Sequence, residues 1–367
     1  MKFTFDRDAL LKEISIAQEI ISTKNALSIL SNVYFKAENG TLVIKATDTK
    51  VNFETRIPVD IEEPGSTTVL CDKLLNILNN LPSGDIEFKQ EDINIFIKPI
   101  SKKASFKLKS IASDKFPEFS SNDTIPYFEV SSGEFKKMIT QTIFAVSDDQ
   151  TRYFMNGVSF EKKDENLIMV ATDGRRLAYI AKPLVQGVND FNQIIIPIKV
   201  LNIILKRAPA EGNIFISVLD KTIFFKFGNY DLSSVLIDGA FPNYQRVIPE
   251  KQEFYFEIDK KELSEALRRV ALLVEQKSHR VYFEITPGTL IISSQESEIG
   301  TAKEEIPCRY EGEEVKIALN YLYIEEPLKV IDSERICIEF TEKMHAITLR
   351  PEPAEDFFHI IMPMQME

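Results

Sequence analysis

The sequence is poor in the residues that mark several protein classes. Its only cysteines are Cys71, Cys308 and Cys337, and its 13 glycines and 17 prolines are spread thinly over 367 residues. An odd, unpatterned cysteine set excludes a disulfide framework and a cysteine-rich zinc site, and it is typical of buried structural thiols in a reducing compartment. The thin glycine and proline content excludes a collagen-like or low-complexity chain.

Long apolar runs are also missing. A run such as 194–196 is far shorter than the roughly 20 residues that a membrane-spanning helix needs. The first residues, MKFTFDRDALLKEIS, contain neither an apolar signal core nor a small-residue cleavage site. We therefore expect a soluble cytoplasmic protein that does not bind membranes.

Motifs that carry catalysis are equally scarce. The three histidines, His279, His345 and His359, are not at metal-ligand spacing, and we expect each at the surface or in an interface. No glycine-rich phosphate loop, nucleophile elbow or HExxH motif occurs. Asp48 and Asp173 each follow the same Ala-Thr dipeptide, which favours turn or cap residues over an acid-base pair. No catalytic residue, cofactor or metal is predicted.

What the sequence does contain is a three-fold internal repeat. The segments 3–8, 128–133 and 256–261 each read as a short alternating strand that ends in an N-cap residue, Asp6, Ser131 or Asp259, and an apolar pattern at helical spacing follows. The strands 42–48, 167–173 and 290–296 align in the same way, at an offset of about 125 residues.

These repeats predict an α+β chain of three similar domains, at 1–122, 127–249 and 253–367. Two helices are expected in each copy, at 8–24, 71–80, 131–144, 196–207, 259–280 and 318–331. A duplicated scaffold without any particular task is the plainest alternative explanation, because repetition alone does not give function.

Charge divides the predicted helices from the rest of the chain. The formal net charge is -12, yet the six helical segments sum to about +4. Lysines and arginines on helices usually form solvated faces, but their recurrence in successive repeats also suits contact with phosphates. The basic segment 102–109 and the acidic segment 295–305 could each be a charge-protected edge strand, or they could pair across a subunit interface.

Two segments belong to single repeats. The loop Ala171–Ala178, with sequence ATDGRRLA, has no close counterpart in the third copy, and the chain ends in the methionine-rich IIMPMQM of 360–366. Methionine side chains adapt to different apolar ligands, so the tail suits a groove for several partners as well as a final core strand.

The combination of RYFMNG at 152–157, ATDGRRLA at 171–178, FPNY at 241–244 and the terminal Met-Pro-Met resembles the bacterial DNA polymerase III beta subunit family over the whole chain. The resemblance implies a non-catalytic processivity factor. Two chains would close head to tail into a ring of six similar domains, with helices inside and sheets outside, around duplex DNA without sequence preference.

The resemblance also implies particular residues. The partner-peptide cleft, between domains 2 and 3, would comprise Arg152, Met155, Thr172, Gly174, Arg175, Arg176, Leu177, Pro242, Arg246, Val247, Met344, Ile361, Met362, Pro363 and Met364. The DNA-facing residues would be Lys24, Gln150, Lys199, Arg207 and Lys137, and the dimer contact would join Phe106 and Leu108 to Leu272 and Leu273.

The partners implied by the family are a second copy of the chain, double-stranded DNA, the alpha subunit of DNA polymerase III and other polymerases, the clamp loader, and mismatch repair and other peptide-motif proteins in the nucleoid. A metal-dependent phosphoryl-transfer enzyme and a DNA-independent scaffold are the alternatives. Three features depart from the family pattern: Arg175 where many relatives have His, the extension 365–367, and Pro327, which should sit in a first turn or kink the last helix.

Overall fold

The computed structural model describes residues 1–21, 29–119, 126–184, 191–298, 300–342 and 344–366. Its α-helices are α1 Arg7–Ile20, α2 Cys71–Asn80, α3 Ser132–Thr142, α4 Ile198–Arg207, α5 Lys260–Val270 and α6 Tyr321–Val330. All six predicted helices are therefore present. The fifth was predicted too long, because α5 ends at Val270, a 3-10 turn follows at Ala271–Leu273, and the chain has become a strand by Arg280.

Two of the predicted helix caps are confirmed. The Asp6 carboxylate accepts a hydrogen bond of 2.8 Å from the backbone N–H of Ala9, and Asp259 accepts one of 2.9 Å from Glu262. Each bond satisfies an N–H that the first turn leaves without a helical partner. Pro327 lies inside α6 rather than in its first turn, and the backbone N–H of Ile331 still bonds to the Pro327 carbonyl oxygen.

The chain divides into two compact units. The first contains Met1–Phe135 and Lys199–Leu236 and holds one antiparallel 13-stranded sheet of order β10-β15-β16-β17-β4-β3-β2-β6-β9-β8-β7-β1-β5. Its strands are β1 Lys2–Asp6, β2 Asn32–Glu38, β3 Thr41–Thr47, β4 Val51–Pro58, β5 Asp60–Glu63, β6 Gly65–Leu70, β7 Asp85–Glu91, β8 Asn94–Pro99, β9 Phe106–Ile111, β10 Phe128–Ser131, β15 Asn213–Leu219, β16 Thr222–Phe227 and β17 Tyr230–Val235.

The second unit contains Lys136–Leu184, 191–198 and 237–366. It holds an 8-stranded sheet of order β14-β11-β12-β13-β25-β24-β23-β18 and a 4-stranded sheet of order β21-β20-β19-β22. The strands are β11 Gly157–Lys163, β12 Asn166–Thr172, β13 Arg176–Pro183, β14 Ile194–Pro197, β18 Phe254–Asp259, β19 Arg280–Thr286, β20 Thr289–Ser294, β21 Lys303–Pro307, β22 Val315–Asn320, β23 Arg335–Phe340, β24 Ile347–Glu352 and β25 Phe357–Ile361.

Each unit joins two successive repeats through one continuous sheet. In the first unit β4 of repeat one pairs with β17 of repeat two, and Asn52 lies opposite Ser233. In the second unit β13 of repeat two pairs with β25 of repeat three, and Leu177 lies opposite Ile360. The two junctions are thus built on the same pair of strands, which makes them directly comparable.

The core consists of the inward residues of these sheets and of one face of each helix. Strand β12 is buried at six consecutive positions from Leu167 to Thr172, so both of its faces are covered. Cys71 and Cys337 are buried as predicted, whereas Cys308 is only partly buried. Burial raises the pKa of the Cys308 thiol to about 11, which leaves it protonated at neutral pH. Across the described residues, no helix has the length and apolar character of a membrane span.

Candidate functional site: two adjoining cavities in the second unit

The predicted cleft residues gather where the C-terminal segment crosses the second unit. After β25 the backbone N–H of Met362 bonds to the Arg175 carbonyl oxygen at 2.9 Å, and that of Met364 bonds to the Ala318 carbonyl oxygen at 2.8 Å. The methionine-rich tail is therefore fixed by main-chain bonds to both sheets, and it is not merely the last core strand.

The loop before β13 is held by its own side chains. The Asp173 carboxylate accepts hydrogen bonds from the backbone N–H groups of Arg175 and Arg176, at 2.9 and 3.1 Å, and the Thr172 hydroxyl accepts one from Gly174. Gly174 has a φ of +88°, a conformation that glycine adopts without strain. Asp173 is thus a turn residue, as the repeat predicted.

Arg176 is a buried connection rather than an available hydrogen-bond donor. Its side chain, 10% exposed, is paired with Asp173 at 3.0 Å and with Glu326 of α6, and it donates to the Phe144 carbonyl oxygen at 2.8 Å. The guanidinium also lies 4.6 Å from the centre of the Tyr323 ring. With its guanidinium engaged in these contacts, Arg176 can contribute little to a binding surface.

An open cavity of about 260 Å³ lies beside this loop, and we call it the apolar pocket. Leu177, Tyr244 and Ile360 in its wall belong to a buried apolar cluster that continues inward through Ile168 and Val170, so the floor is rigid. Its rim includes Val247, 49% exposed, and Met362, 41% exposed. The lining residues are Met155, Thr172, Gly174, Arg175, Arg176, Leu177, Pro242, Asn243, Tyr244, Val247, Ile360 and Met362.

A second, more polar cavity of about 520 Å³ adjoins it, and we call it the basic groove. The two cavities share Arg175 and Met362. No carboxylate appears among the groove residues, which are Arg175, Lys277, Ser278, His279, Arg280, Asn320, Tyr323, Met362, Pro363, Met364 and Gln365.

Most of the fifteen predicted cleft residues line one of these cavities. Arg152 lies beside them, with its Nη1 atom 2.9 Å from where a side-chain carbon on Gly174 would be. Ile361 is buried in β25, whereas Arg246 and Met344 line neither cavity. Sequence reasoning missed Asn243, Tyr244 and Ile360, although the repeated Phe-Pro-x-aromatic motif marked the first two.

Tyr244 is fixed from below by Glu161. Its hydroxyl donates a hydrogen bond to the Glu161 carboxylate, and burial followed by this neighbouring charge raises the pKa of the phenol far above its usual value. The ring is therefore a neutral, immobile wall of the apolar pocket at any physiological pH.

Each described DNA-facing candidate with positive charge forms an ion pair with a carboxylate of the chain. Lys199 lies 2.5 Å from Asp48, Arg207 lies 3.1 Å from Glu19, and Lys137 lies 2.6 Å from Glu355. The bonds from Lys199 and from two backbone N–H groups outweigh desolvation and lower the pKa of Asp48. Gln150 is exposed, and Lys24 lies outside the described residues.

The predicted dimer residues lie on open edges. Along 106–109 the described partner of β9 is β8 alone, since β6 reaches only Ser110 and Ile111, and β21 ends the 4-stranded sheet. Leu272, in the turn after α5, is 81% exposed. Phe106, Leu108 and Leu273 are partly buried.

Among the described residues, no group of three or more His, Cys, Asp and Glu side chains is placed to hold a metal ion. The histidines differ from expectation in one case. His345 is exposed beside Glu342, but His359 is 1% exposed between Phe144 and Phe357, because it lies on the inward face of β25.

Three family models match successive parts of the chain. Models of the N-terminal, central and C-terminal domains of the DNA polymerase III beta subunit match residues 1–120, 129–243 and 245–365. The beta sliding clamp of Treponema pallidum is 48% identical over the full length of both chains. This chain belongs to the DNA polymerase III beta subunit family.

Solved sliding clamps share the whole fold. The clamp from Pseudomonas aeruginosa superposes with a TM-score of 0.94 at 28% identity, and that from Bacillus subtilis with 0.94 at 26%, each covering all of both chains. The chain therefore has three repeated clamp domains, and as a member of the beta sliding clamp family it is a non-catalytic processivity factor for DNA polymerase.

Proposed function

We propose that two copies of this chain close head to tail into a ring that encircles duplex DNA, tethers the replicative polymerase and docks other proteins through the apolar pocket. The carrying observation is the pair of open strand edges with opposite charge. The segment before and within β9 carries Lys102, Lys103, Lys107 and Lys109. The segment 295–305, which leads into β21, carries four glutamates against the single Lys303. An open edge is a template for a strand from another chain, and opposite charges would favour pairing of these two edges with each other over pairing of either edge with its own copy.

The apolar residues beside these edges complete the proposed interface. Phe106 and Leu108 of one copy would cover Leu272 and Leu273 of the other, which would remove the 81% exposure of Leu272. A contact between different surfaces of identical chains must close into a ring or grow into a filament, and the family resemblance favours closure by two copies.

Light scattering over a dilution series tests the ring. We expect a mass near twice 42.0 kDa, and a fall to 42.0 kDa when Leu272→Ala and Leu273→Ala are combined. Tyr255→Ala, at another exposed apolar residue of the second unit, should leave the dimer intact. A dimer unaffected by the double variant would refute this interface, and better retention on closed circular than on linear DNA would support encirclement.

DNA contact would be loose and would come from the basic helices. Lys199, Arg207 and Lys137 would exchange their carboxylate partners for phosphates. Lys24 and Gln150 would add further contacts, and the acidic exterior would discourage other modes of binding. Removing one of these cations should weaken binding to all sequences equally and reduce the salt dependence. A change that depends on DNA sequence would contradict this assignment.

Partner proteins would dock through the apolar pocket. Each would insert a short linear peptide in which a glutamine is followed by aliphatic and aromatic anchor residues. Met362→Ala should weaken binding of such a peptide about 30-fold, as expected for an exposed apolar side chain that the bound peptide would cover. Met366→Ala is a matched control, because Met366 is also 41% exposed but lines neither cavity. Equal loss in both variants, measured by fluorescence polarisation, would argue against the pocket.

The partners proposed for this pocket are the polymerase III alpha subunit and other polymerases, the clamp loader, and mismatch repair proteins. Their place of action would be the nucleoid in the cytoplasm. We also propose the domain boundaries 1–122, 127–249 and 253–367, each ending after the Phe-Pro or Met-Pro motif of its repeat.

A further inference from the structure

We propose that β18 binds a short extended segment of a partner protein, in which apolar residues alternate with lysine or arginine. The segment would add as a strand to the edge of the 8-stranded sheet at Tyr255, where β18 is the last strand. A cavity of about 640 Å³, which we call the β18 cavity, lies there between the start of β18 and the segment 308–312. It shares no lining residue with the apolar pocket.

The edge of β18 is open where the equivalent edge of the first repeat is covered. In that repeat β1 pairs with β5 over residues 2–4, and Lys2 lies opposite Glu63. The alignment of 3–8 with 256–261 places 255–257 at these positions. Within the described residues, the one partner of β18 on this side is Arg309, opposite Glu257. The start of β18 therefore lacks the strand that covers β1.

Tyr255 has backbone groups available for a new strand. The N–H of Glu257 donates to the Arg309 carbonyl oxygen at 3.2 Å, and the N–H of Arg309 donates to the Glu257 carbonyl oxygen at 2.8 Å. Hydrogen-bonding groups alternate in direction along a strand, so those of Tyr255 point to the same side as those of Glu257. Unpaired groups on a sheet edge are a template for a strand from another chain.

The segment 308–312 is held in place on the side away from β18. The N–H of Cys308 bonds to the Gly288 carbonyl oxygen at 3.0 Å, and the N–H of Gly288 bonds to the Tyr310 carbonyl oxygen at 3.0 Å. The Tyr310 side chain is buried against Gly312, where an added side-chain carbon would lie 2.6 Å from the ring. The β18 cavity is therefore formed before a ligand binds, which lowers the entropic cost of binding.

The first repeat indicates that the missing strand should carry positive charge. Lys2 occupies the position of Tyr255 in β1, and its ammonium lies 2.5 Å from the Glu62 carboxylate. Glu62 corresponds to Glu311, since each lies two residues after the partner of the equivalent strand position. Glu311 is exposed, and no described cation lies within ion-pair distance of it. A cation on a bound segment would supply the charge that Lys2 supplies in the first repeat.

The rest of the rim favours a segment that is both basic and apolar. Glu253 is also exposed, and Arg309, the cation of the cavity lining, is already paired with Glu257 at 3.1 Å. Tyr255 is 59% exposed and Phe254 36% exposed. Because side chains alternate between the faces of a strand, an added strand would place a lysine or arginine beside the Tyr255 ring and an apolar residue over Phe254.

The test uses a labelled peptide, Val-Lys-Val-Lys-Val-Lys, and the full-length chain, with binding followed by fluorescence polarisation. We expect this peptide to bind about ten-fold more tightly than the same sequence with N-methylated backbone amides, which keeps the charge but cannot donate to the sheet. A Val-Glu repeat of equal length should bind more weakly still. Equal binding of the methylated and unmodified Val-Lys peptides would overturn this inference.

Variants of the edge separate the backbone bonds from the charge. Tyr255→Pro removes the N–H that faces the cavity but none that bonds to β23, whereas Tyr255→Ala removes only the ring. The proline variant should bind the Val-Lys peptide more weakly than the alanine variant. Glu311→Lys should make the Val-Glu peptide the better ligand, and Glu165→Lys, at an exposed glutamate outside the cavity, should leave the preference unchanged.

The location of the site is tested in the same assay. Met362→Ala should leave binding of the Val-Lys peptide unchanged, because Met362 lines the apolar pocket and not the β18 cavity. A loss of binding in that variant would place the peptide in the apolar pocket and overturn this inference. An equal loss in Glu311→Lys and Glu165→Lys would show general attraction to an acidic surface and would overturn it as well. None of these outcomes bears on the ring or on docking through the apolar pocket.

Discussion

The two junctions between repeats share a backbone but differ in what they can bind. The junction in the first unit also carries an open cavity, of about 300 Å³, which we call the polar pocket. Eight of its residues correspond by repeat offset or strand register to apolar-pocket residues: Thr47 to Thr172, Thr49 to Gly174, Asn52 to Leu177, Pro117 to Pro242, Glu118 to Asn243, Phe119 to Tyr244, Ser233 to Ile360 and Val235 to Met362.

The polar pocket and the apolar pocket differ in the residues that form their floor. Asn52 accepts a bond of 2.6 Å from the Thr47 hydroxyl and donates one of 3.0 Å to Ser233, so a polar network replaces the contact between Leu177 and Ile360. A floor of satisfied hydrogen bonds offers an aliphatic anchor little apolar area and would lose those bonds if it moved. One of two equivalent cavities is thus specialised for apolar ligands.

The cations that connect the repeats differ in the same direction. At the first junction Lys199, 34% exposed, joins Asp48, whereas at the second Arg176, 10% exposed, joins Asp173 and Glu326. Breaking a buried pair leaves a charge without compensation, whereas a half-exposed pair is weakened by solvent.

The largest effect should therefore follow from Arg176→Ala. We expect it to lower the free energy of unfolding of the second unit by about 3 kcal/mol, since Asp173 and Glu326 lose their partner inside the protein. Lys199→Ala should cost the first unit only about 1 kcal/mol. Urea unfolding, with domain-specific hydrogen exchange to assign each unit, measures both, and a larger loss for Lys199→Ala would contradict the comparison.

A second difference concerns His359, which occupies the position that Leu232 has in the first junction. Burial, followed by the nearby Arg176 charge, lowers the pKa of His359 to about 3. The unfolded chain takes up a proton near pH 6.5 and the folded chain does not, so stability present above pH 6.5 is lost as the pH falls toward 3.

His359→Leu should remove this pH dependence. Relative to the variant, the unchanged chain should lose about 2 kcal/mol of unfolding free energy between pH 7 and pH 5. His345→Leu is the control, because His345 is exposed and its removal should leave the slope as it was. Parallel stability curves for the chain and the His359 variant would contradict this, because they would mean that His359 binds its proton as readily in the folded chain as in the unfolded chain.

Sequence reasoning recovered what repeats and local patterns encode. It predicted the three copies, all six helices, the caps at Asp6 and Asp259, and the turn role of Asp173, because each depends on residues close in the chain. It did not predict contacts between residues that are far apart in the chain, such as the ion pair of Lys199 with Asp48, which are 151 positions apart. It also did not predict the end of α5, because the apolar Ala-Leu-Leu that follows continues the helical period although the backbone has left the α-helix.

The smallest effect concerns the third position of the two equivalent loops. Thr49 has a φ of +77° and Gly174 one of +88°, and each backbone N–H bonds to the threonine hydroxyl two residues earlier. A β-branched residue is strained at positive φ, so Thr49→Gly should raise the urea midpoint of the first unit by the equivalent of about 1 kcal/mol. Gly174→Ala should lower the urea midpoint of the second unit by a similar amount, because the new carbon would be strained at positive φ and would also meet Arg152.

Asp92→Gly is the control, because Asp tolerates its φ of +51° and little strain is relieved there. If Thr49→Gly destabilises the unit, the loss of threonine contacts outweighs the backbone strain, and the first loop is held by its side chain rather than by the turn that both junctions share.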